Sequence, residues 1–322
     1  MNDAEHDPFV FVVGCGRSGT TVLRTVLDSH PDLAVSHEGR FVYPLSRRRA
    51  RYERPEGFDV DALAGDLLAD RAVRTNLGMN GDDLRVALGG APVADYPDAV
   101  RRIFAYYAAR AGKGRYGDKM PAYVLHMPVL AEMFPEARFV HIIRDGRDVA
   151  LSSMAIEGNR LGALDLALNW KARVGTGRAD GRTLGPHRYH EVRYEHLVAE
   201  PGAEVATLCE FLDLDVDPAM LRFSEQRAGI PEKVLVNPRH ARLAEPLSPG
   251  TRSWRTHMGR RDLELFEAAA GPLLSELGYE RAVPRPRLSA RARVALGRAR
   301  HQVDRVRARL PGLVRRAGQG RP

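Results

Sequence analysis

Residues 14–21, Gly-Cys-Gly-Arg-Ser-Gly-Thr-Thr, follow directly on the apolar run Phe9–Val13. A strand that feeds a glycine-rich turn and then a helix points bare backbone N–H groups at an anion, and the helix dipole adds partial positive charge. Arg17 contributes a full cation, and Ser18, Thr20 and Thr21 contribute hydroxyls. The chemistry of such a loop is the holding of a phosphate or sulfate group. Two nucleotide loops fit it in part. In G-x-x-x-x-G-K-[ST], Gly14 and Gly19 have the required spacing, but Thr20 stands where a lysine would reach the outer phosphates. In G-x-G-x-x-G, Gly14, Gly16 and Gly19 match and Glu38 lies about 20 residues on, where a ribose-binding acid would sit, yet Thr20 and Thr21 have no task. A turn without a ligand is the plain alternative.

A second stretch, Arg138–Ser153, reads as a buried strand ending at Arg144 and a helix that carries Ser152 eight residues on. Eight residues is just over two helical turns, so Ser152 returns to nearly the same face. An arginine fork and a hydroxyl together can clamp a phosphate. The plain alternative is a surface Arg144 paired with Asp145 or Asp148. Arg147 and Asp148 are better suited to that structural part.

On these residues the chain resembles the sulfotransferases that use 3′-phosphoadenosine 5′-phosphosulfate (PAPS). Arg17–Thr21 reads as their Arg/Lys-Ser-Gly-Thr-Thr loop. Asp28–Pro31 and His37–Arg40 are most similar to the tyrosylprotein and bacterial carbohydrate-type branches. The resemblance covers roughly residues 9–280. It implies that Arg17, Ser18, Gly19, Thr20 and Thr21 hold the 5′-phosphosulfate, that Arg144 and Ser152 hold the 3′-phosphate, and that Tyr194 lies near the nucleotide. It places Glu38, 21 residues after Arg17, as general base, with the neighbouring His37 as rival. Lys119 in Asp118–Pro121 is then a second catalytic cation beside Arg17, expected at a helix start. Trp254 falls in the last donor-contacting segment of the family, with Ser253 and Arg255 where related enzymes often present lysine. PAPS is the implied donor and PAP the product, with no metal. The acceptor is a hydroxyl on a small molecule, carbohydrate or lipid-linked compound. A P-loop nucleotide kinase and a non-catalytic nucleotide-binding module are the alternative readings.

The elements that must position these residues alternate strand and helix, which implies a parallel sheet covered on both faces. The expected fold is α/β: a P-loop-like three-layer sandwich with a central parallel sheet flanked by helices, and a basic C-terminal helical tail. Strands are expected at 9–13, 33–36, 138–143 and 188–194. Helices are expected at 20–29, 60–77, 99–111, 121–134, 146–156, 202–212 and 261–277. Residues 44–60 read as irregular and 225–255 as a long loop. Ligands in such sheets sit beyond the carboxyl ends of the strands, where Glu38, Arg144 and Tyr194 each fall. The expected division is an extension 1–8, one domain 9–280 and an arginine-rich tail 281–322.

The 322 residues carry a net charge of +8. From Pro284 onward twelve arginines face the single acid Asp304, a net +11, so the remainder carries −3. The high pI therefore belongs to the tail and gives no reason to expect specific nucleic-acid binding. A basic helix over 287–310 could lie on an anionic membrane surface, bind a partner or stay solvated. Arginines 47–49, 51 and 54 would suit an acidic or phosphate-bearing partner, or form a solvated charge run. No run approaches 18 apolar residues, the first residues are polar, and two cysteines are too few for a disulfide framework. The expected location is cytoplasmic, with peripheral attachment at the inner membrane surface through the tail. Cys15 reads as a small loop filler, and His30, His126 and His141 as packing residues.

Overall fold

The computed structural model describes residues 7–156, 158–222 and 253–309. Strand β1 (Val10–Gly14) leads through the glycine turn into helix α1 (Thr20–Asp28), then β2 (Leu33–His37) and α2 (Val42–Ser46). A small hairpin, β3 (Glu53–Arg54) with β4 (Gly57–Phe58), fills part of the stretch expected to be irregular. Then come α3 (Val60–Ala69), α4 (Gly81–Leu88), α5 (Tyr96–Arg110), β5 (Arg115–Lys119), α6 (Met127–Met133) and β6 (Arg138–Ile143). The chain continues through α7 (Gly146–Met154), α8 (Ala163–Leu184), β7 (Tyr189–Arg193), α9 (Tyr194–Ala199) and α10 (Pro201–Leu212). It closes with α11 (Trp254–His257), α12 (Arg260–Glu276) and α13 (Leu288–Arg309). The helix expected over 121–134 is broken at His126, because Pro128 in the first turn of α6 has no N–H to continue the preceding 3₁₀ turn. Most of the expected loop 225–255 lies outside the described residues.

Two compact units divide this chain. The first holds residues 7–144 and 173–222 and contains the five-stranded sheet, all parallel, in the order β2-β5-β1-β6-β7. Strand β1 shows how the alternation of side chains builds the layers. Phe9, Phe11 and Val13 point to a core shared with α3, α4, α5 and α6, where Phe9 stacks on Phe11 at 4.3 Å and Phe11 on Phe139 at 5.5 Å. Val10 and Val12 point to the other face, against Leu23, Val26 and Leu27 of α1 and Val205, Leu208 and Leu212 of α10. Each such side chain contributes about 1.5–3 kcal/mol on burial. Helix starts follow local sequence: Asp59 caps α3, Asn80 and Asp83 form a capping box on α4, and Asp95 caps α5. This is the three-layer α/β arrangement expected.

The second unit holds residues 145–172 and 253–309 of the described chain. At its centre the Arg147 guanidinium is 1% exposed, 2.7 Å from Asp145 and 2.6 Å from Glu267. The same guanidinium lies 3.6 Å from the Trp254 ring centroid. Glu267 also accepts from the N–H groups of Ala282 and Val283, which fixes the chain after α12. Arg147 thus takes the structural part that its sequence neighbourhood indicated. The unit boundaries differ from a cut at 280. Ala290 and Val294 of α13 are buried, Arg287 N–H donates to Glu264, and a Cβ on Gly297 would come within 3.0 Å of Leu164. Among the described residues no helix is long and apolar enough to cross a membrane.

Candidate active site

The first unit gathers its polar groups at the carboxyl end of the sheet. Between β1 and α1 the backbone turns through three left-handed or otherwise glycine-favouring conformations, Gly14 (φ 154°), Arg17 (φ 73°) and Gly19 (φ 97°). Arg17 is not a glycine, so its positive φ is local strain of the kind kept at binding loops. Gly19 stands at the start of α1 with no side-chain cap, leaving the first-turn N–H groups directed outward. Ser18 is fully buried, and its hydroxyl has no hydrogen-bond partner among the described residues. A buried polar atom without a partner is costly unless something completes it. The loop as folded therefore fits an oxyanion ligand. Burial pushes the Cys15 thiol up to about 11, so it is a neutral filler of the turn.

Tyr194 joins this loop to Arg144. A Cβ at Gly19 would fall 2.4 Å from the Tyr194 ring, so the ring lies directly on the glycine. The Arg144 guanidinium lies over the same ring, 4.3 Å from its centroid. Arg144 follows the last residue of β6, and Tyr194 opens α9 straight after β7, which pairs with β6. The sheet thus brings the loop, Arg144 and Tyr194 together. Ser152 lies half-buried on α7, in the second unit.

Glu38 and Lys119 meet beyond the ends of β2 and β5. The register pairs His37 with Lys119, and Glu38 N–H donates to the Lys119 carbonyl at 3.0 Å. Lys119 Nζ lies 2.8 Å from Glu38 Oε1 and 3.5 Å from His37 Nε2. Lys119 is 1% exposed and the Glu38 side chain 33%. Burial alone would push the Glu38 carboxyl up, but the Lys119 ammonium, with His37 and Arg40, outweighs it and holds the carboxyl below its usual range. Burial lowers Lys119 in turn, against the opposing pull of Glu38. Lys119 is not at a helix start, as expected, but at the end of a strand. Arg115-Tyr-Gly-Asp-Lys pairs through its backbone with β1 and β2, and the buried ammonium is met by the carboxylate of Glu38, just past the end of β2.

Sequence reasoning missed Asp118. It is fully buried, and Oδ1 accepts from Ser36 Oγ at 2.7 Å and Gly39 N–H at 3.0 Å. The only sequence signal was an acid directly before Lys119. Past the pair opens a cleft of about 510 Å³, walled by Arg40, Phe41, Tyr43, Met120, Tyr123 and His126, with Asp66 and Asp70 at its side. Tyr43 stacks on His126 at 3.6 Å. The arginine run beside it is largely paired internally, Arg49 with Glu53, Arg51 with Asp66 and Arg54 with Asp59, which is the solvated-charge alternative. His30 and His141 are packing residues: His30 bonds the Asp215 carbonyl, and His141 bonds the Tyr189 hydroxyl, with burial pushing it down to about 3.

Residues 8–218 match the model of the sulfotransferase family. The chain belongs to that family. Protein-tyrosine sulfotransferase A of Caenorhabditis elegans is 26% identical over 223 residues, 68% of this chain and 53% of the nematode protein. The protein-tyrosine sulfotransferase of Drosophila melanogaster is 26% identical over 281 residues, 85% of this chain and 52% of the fly protein. This sulfotransferase-family chain thus spans about half the length of both relatives. The sulfotransferase domain of the Synechococcus PCC 7002 olefin synthase shares its fold, with a TM-score of 0.56 at 23% identity over 87% of this chain and 98% of that domain.

Proposed function

We propose that this site transfers a sulfuryl group from PAPS to an acceptor hydroxyl. The observation that carries the reading is the Glu38–Lys119 pair, a carboxylate and a buried ammonium 2.8 Å apart at the end of the sheet that also carries the oxyanion loop. The loop of Arg17, Ser18, Gly19, Thr20 and Thr21 would hold the 5′-phosphosulfate end, with the unpartnered Ser18 hydroxyl available to it. Arg144 and Tyr194 would hold the adenylate end. When bound, the donor supplies the sulfuryl group and a phosphate leaving group.

Sulfuryl transfer, like phosphoryl transfer, needs positioning and charge stabilisation more than covalent help from the protein. Lys119 engages Glu38 Oε1, so Oε2 is the oxygen available to take the acceptor's proton. The depressed carboxyl is ionised throughout the neutral range and therefore ready to act as base. Arg17 and Lys119 would stabilise charge that grows on the bridging oxygen. Any share of the Lys119 charge given to that oxygen is withdrawn from Glu38, which strengthens the base. The cleft bordered by Arg40, two residues after Glu38, and by Met120, directly after Lys119, would receive the acceptor.

Calorimetry with PAP, ATP–magnesium and NAD tests the donor, followed by an acceptor screen with radiolabelled PAPS. Tight binding of PAP alone and transfer of label to an acceptor support the proposal. Preference for ATP–magnesium would make the chain a kinase, and binding of PAP without transfer a non-catalytic module.

A further inference from the structure

The fully buried carboxylate beneath the catalytic pair has no part in the roles given so far. Asp118 precedes Lys119 on β5, so its side chain points to the opposite side of the strand. Its Oδ1 accepts from the Ser36 hydroxyl on β2 and from the Gly39 N–H. Gly39 lies between Glu38 (φ 54°) and Arg40 (φ 64°), two non-glycine residues in left-handed backbone. Such a stretch persists only when its surroundings impose it. Asp118 is the side chain that grips its centre. A Cβ on Gly39 would already stand 3.3 Å from Asp118 Oδ2, so the contact is close. That second oxygen is buried and has no hydrogen-bond partner among the described residues. A merely structural acceptor at this spot could be a neutral amide or hydroxyl. A charged carboxylate with one oxygen unmet is an expensive way to hold a turn.

We propose that Asp118 is a positioning residue for sulfuryl transfer, whose ionised carboxylate holds the 38–40 turn so that Glu38 stays paired with Lys119. This rests on the function proposed above. The titratable groups that act on it electrostatically are Lys119 on its own strand, Glu38 after β2, Tyr107 on α5 and Tyr123 in the turn before α6. The Arg24 guanidinium of α1 also pulls Lys119 down, behind the larger effect of burial. Burial raises the Asp118 carboxyl to about 6, against the opposing pull of the Gly39 and Ser36 bonds and of Lys119. Protonation near that pH weakens Oδ1 as an acceptor and creates an O–H with nothing to meet. The hold on Gly39 therefore loosens as pH falls through about 6. For stability the sign is the reverse. A carboxyl raised in the folded state favours folding below its unfolded pKa, and that contribution is lost as pH rises toward 6.

The test is Asp118→Asn in the full chain, with Asp118→Ala as a second variant. Three things are read: PAP affinity by calorimetry, the pH profile of turnover with the acceptor from the labelled-donor screen, and Tm at pH 5 and pH 8. We expect wild-type turnover to fall as pH drops through about 6. The Asn variant should lose that limb and at least tenfold in turnover at pH 7.5. Its PAP affinity should stay within about threefold and its Tm at pH 8 should be unchanged or higher. Wild-type turnover and an unaltered acid limb in Asp118→Asn would overturn the positioning role alone. Loss of PAP binding in parallel with turnover, or a Tm fall at pH 8 in both variants, would assign Asp118 to plain folding support and overturn it too. A wild-type chain that neither binds PAP nor transfers label would overturn the donor reading first, and Asp118 with it.

Discussion

At the scale of single residues, the Glu38–Lys119 contact asks each partner to do two things. Lys119 is nearly without solvent, so Glu38 is its main electrostatic compensation as well as the proposed base. Replacing Glu38 by Gln keeps a hydrogen-bond acceptor for Nζ but removes the proton acceptor. The expected loss in turnover is about 10²-fold or more, in line with the contribution of a positioned base, with PAP affinity within about threefold. His37→Ala should cost far less. Full activity in Glu38→Gln would move the base to His37 or elsewhere. Lys119→Ala should lower turnover far more than PAP affinity, because its charge is needed most as the bridging oxygen gains charge. Equal losses measured by kinetics and calorimetry would reduce Lys119 to a binding group. Because Glu38 is held below the usual carboxylate range, its stabilising contribution is complete above that range. It is lost only as pH falls through the depressed value, so it cannot supply an acid limb near pH 6.

At the scale of elements, the β1 turn works because α9 closes on it. Gly19→Ala places a methyl in the Tyr194 ring and forces an L-residue into φ 97°. The expected cost is about 1–3 kcal/mol in stability with a matching loss of PAP affinity. The double variant with Tyr194→Ala separates the two causes by thermal unfolding: partial recovery of Tm identifies the clash, and none leaves backbone strain as the whole effect. The strands β1, β2 and β6 and the placement of Glu38 and Arg144 at strand ends were legible because apolar runs ended at polar residues. Strand β5 was not. Its sequence has no apolar alternation, yet it lies inside the sheet between β2 and β1, where Asp118 and Lys119 find partners. Helix α8 was not among the expected elements. Its Gly177 and Gly181 are clearances that let the helix reach His141 and Tyr189, where a Cβ would come within 2.7 Å and 2.4 Å.

At the scale of the whole molecule, the basic segment is not set apart at residue 281. The first turns of α13 bury Ala290 and Val294, while Leu288 and Leu296 stay 79% and 73% exposed. A chain ending at 284 should lose Tm by about 3 °C or more, whereas one ending at 299 should stay within about 1 °C, by differential scanning calorimetry. Equal melting of both shortened chains with the intact one would show that α13 adds nothing to its unit. The oxyanion loop holds a last consequence. Part of its donor set is amide hydrogens of the main chain, which every amino acid but proline also possesses. Charge or polarity swaps in the loop therefore cannot delete them. That share of the recognition changes only with the course of the polypeptide, whereas the Arg17 cation and the Ser18, Thr20 and Thr21 hydroxyls can be exchanged one residue at a time.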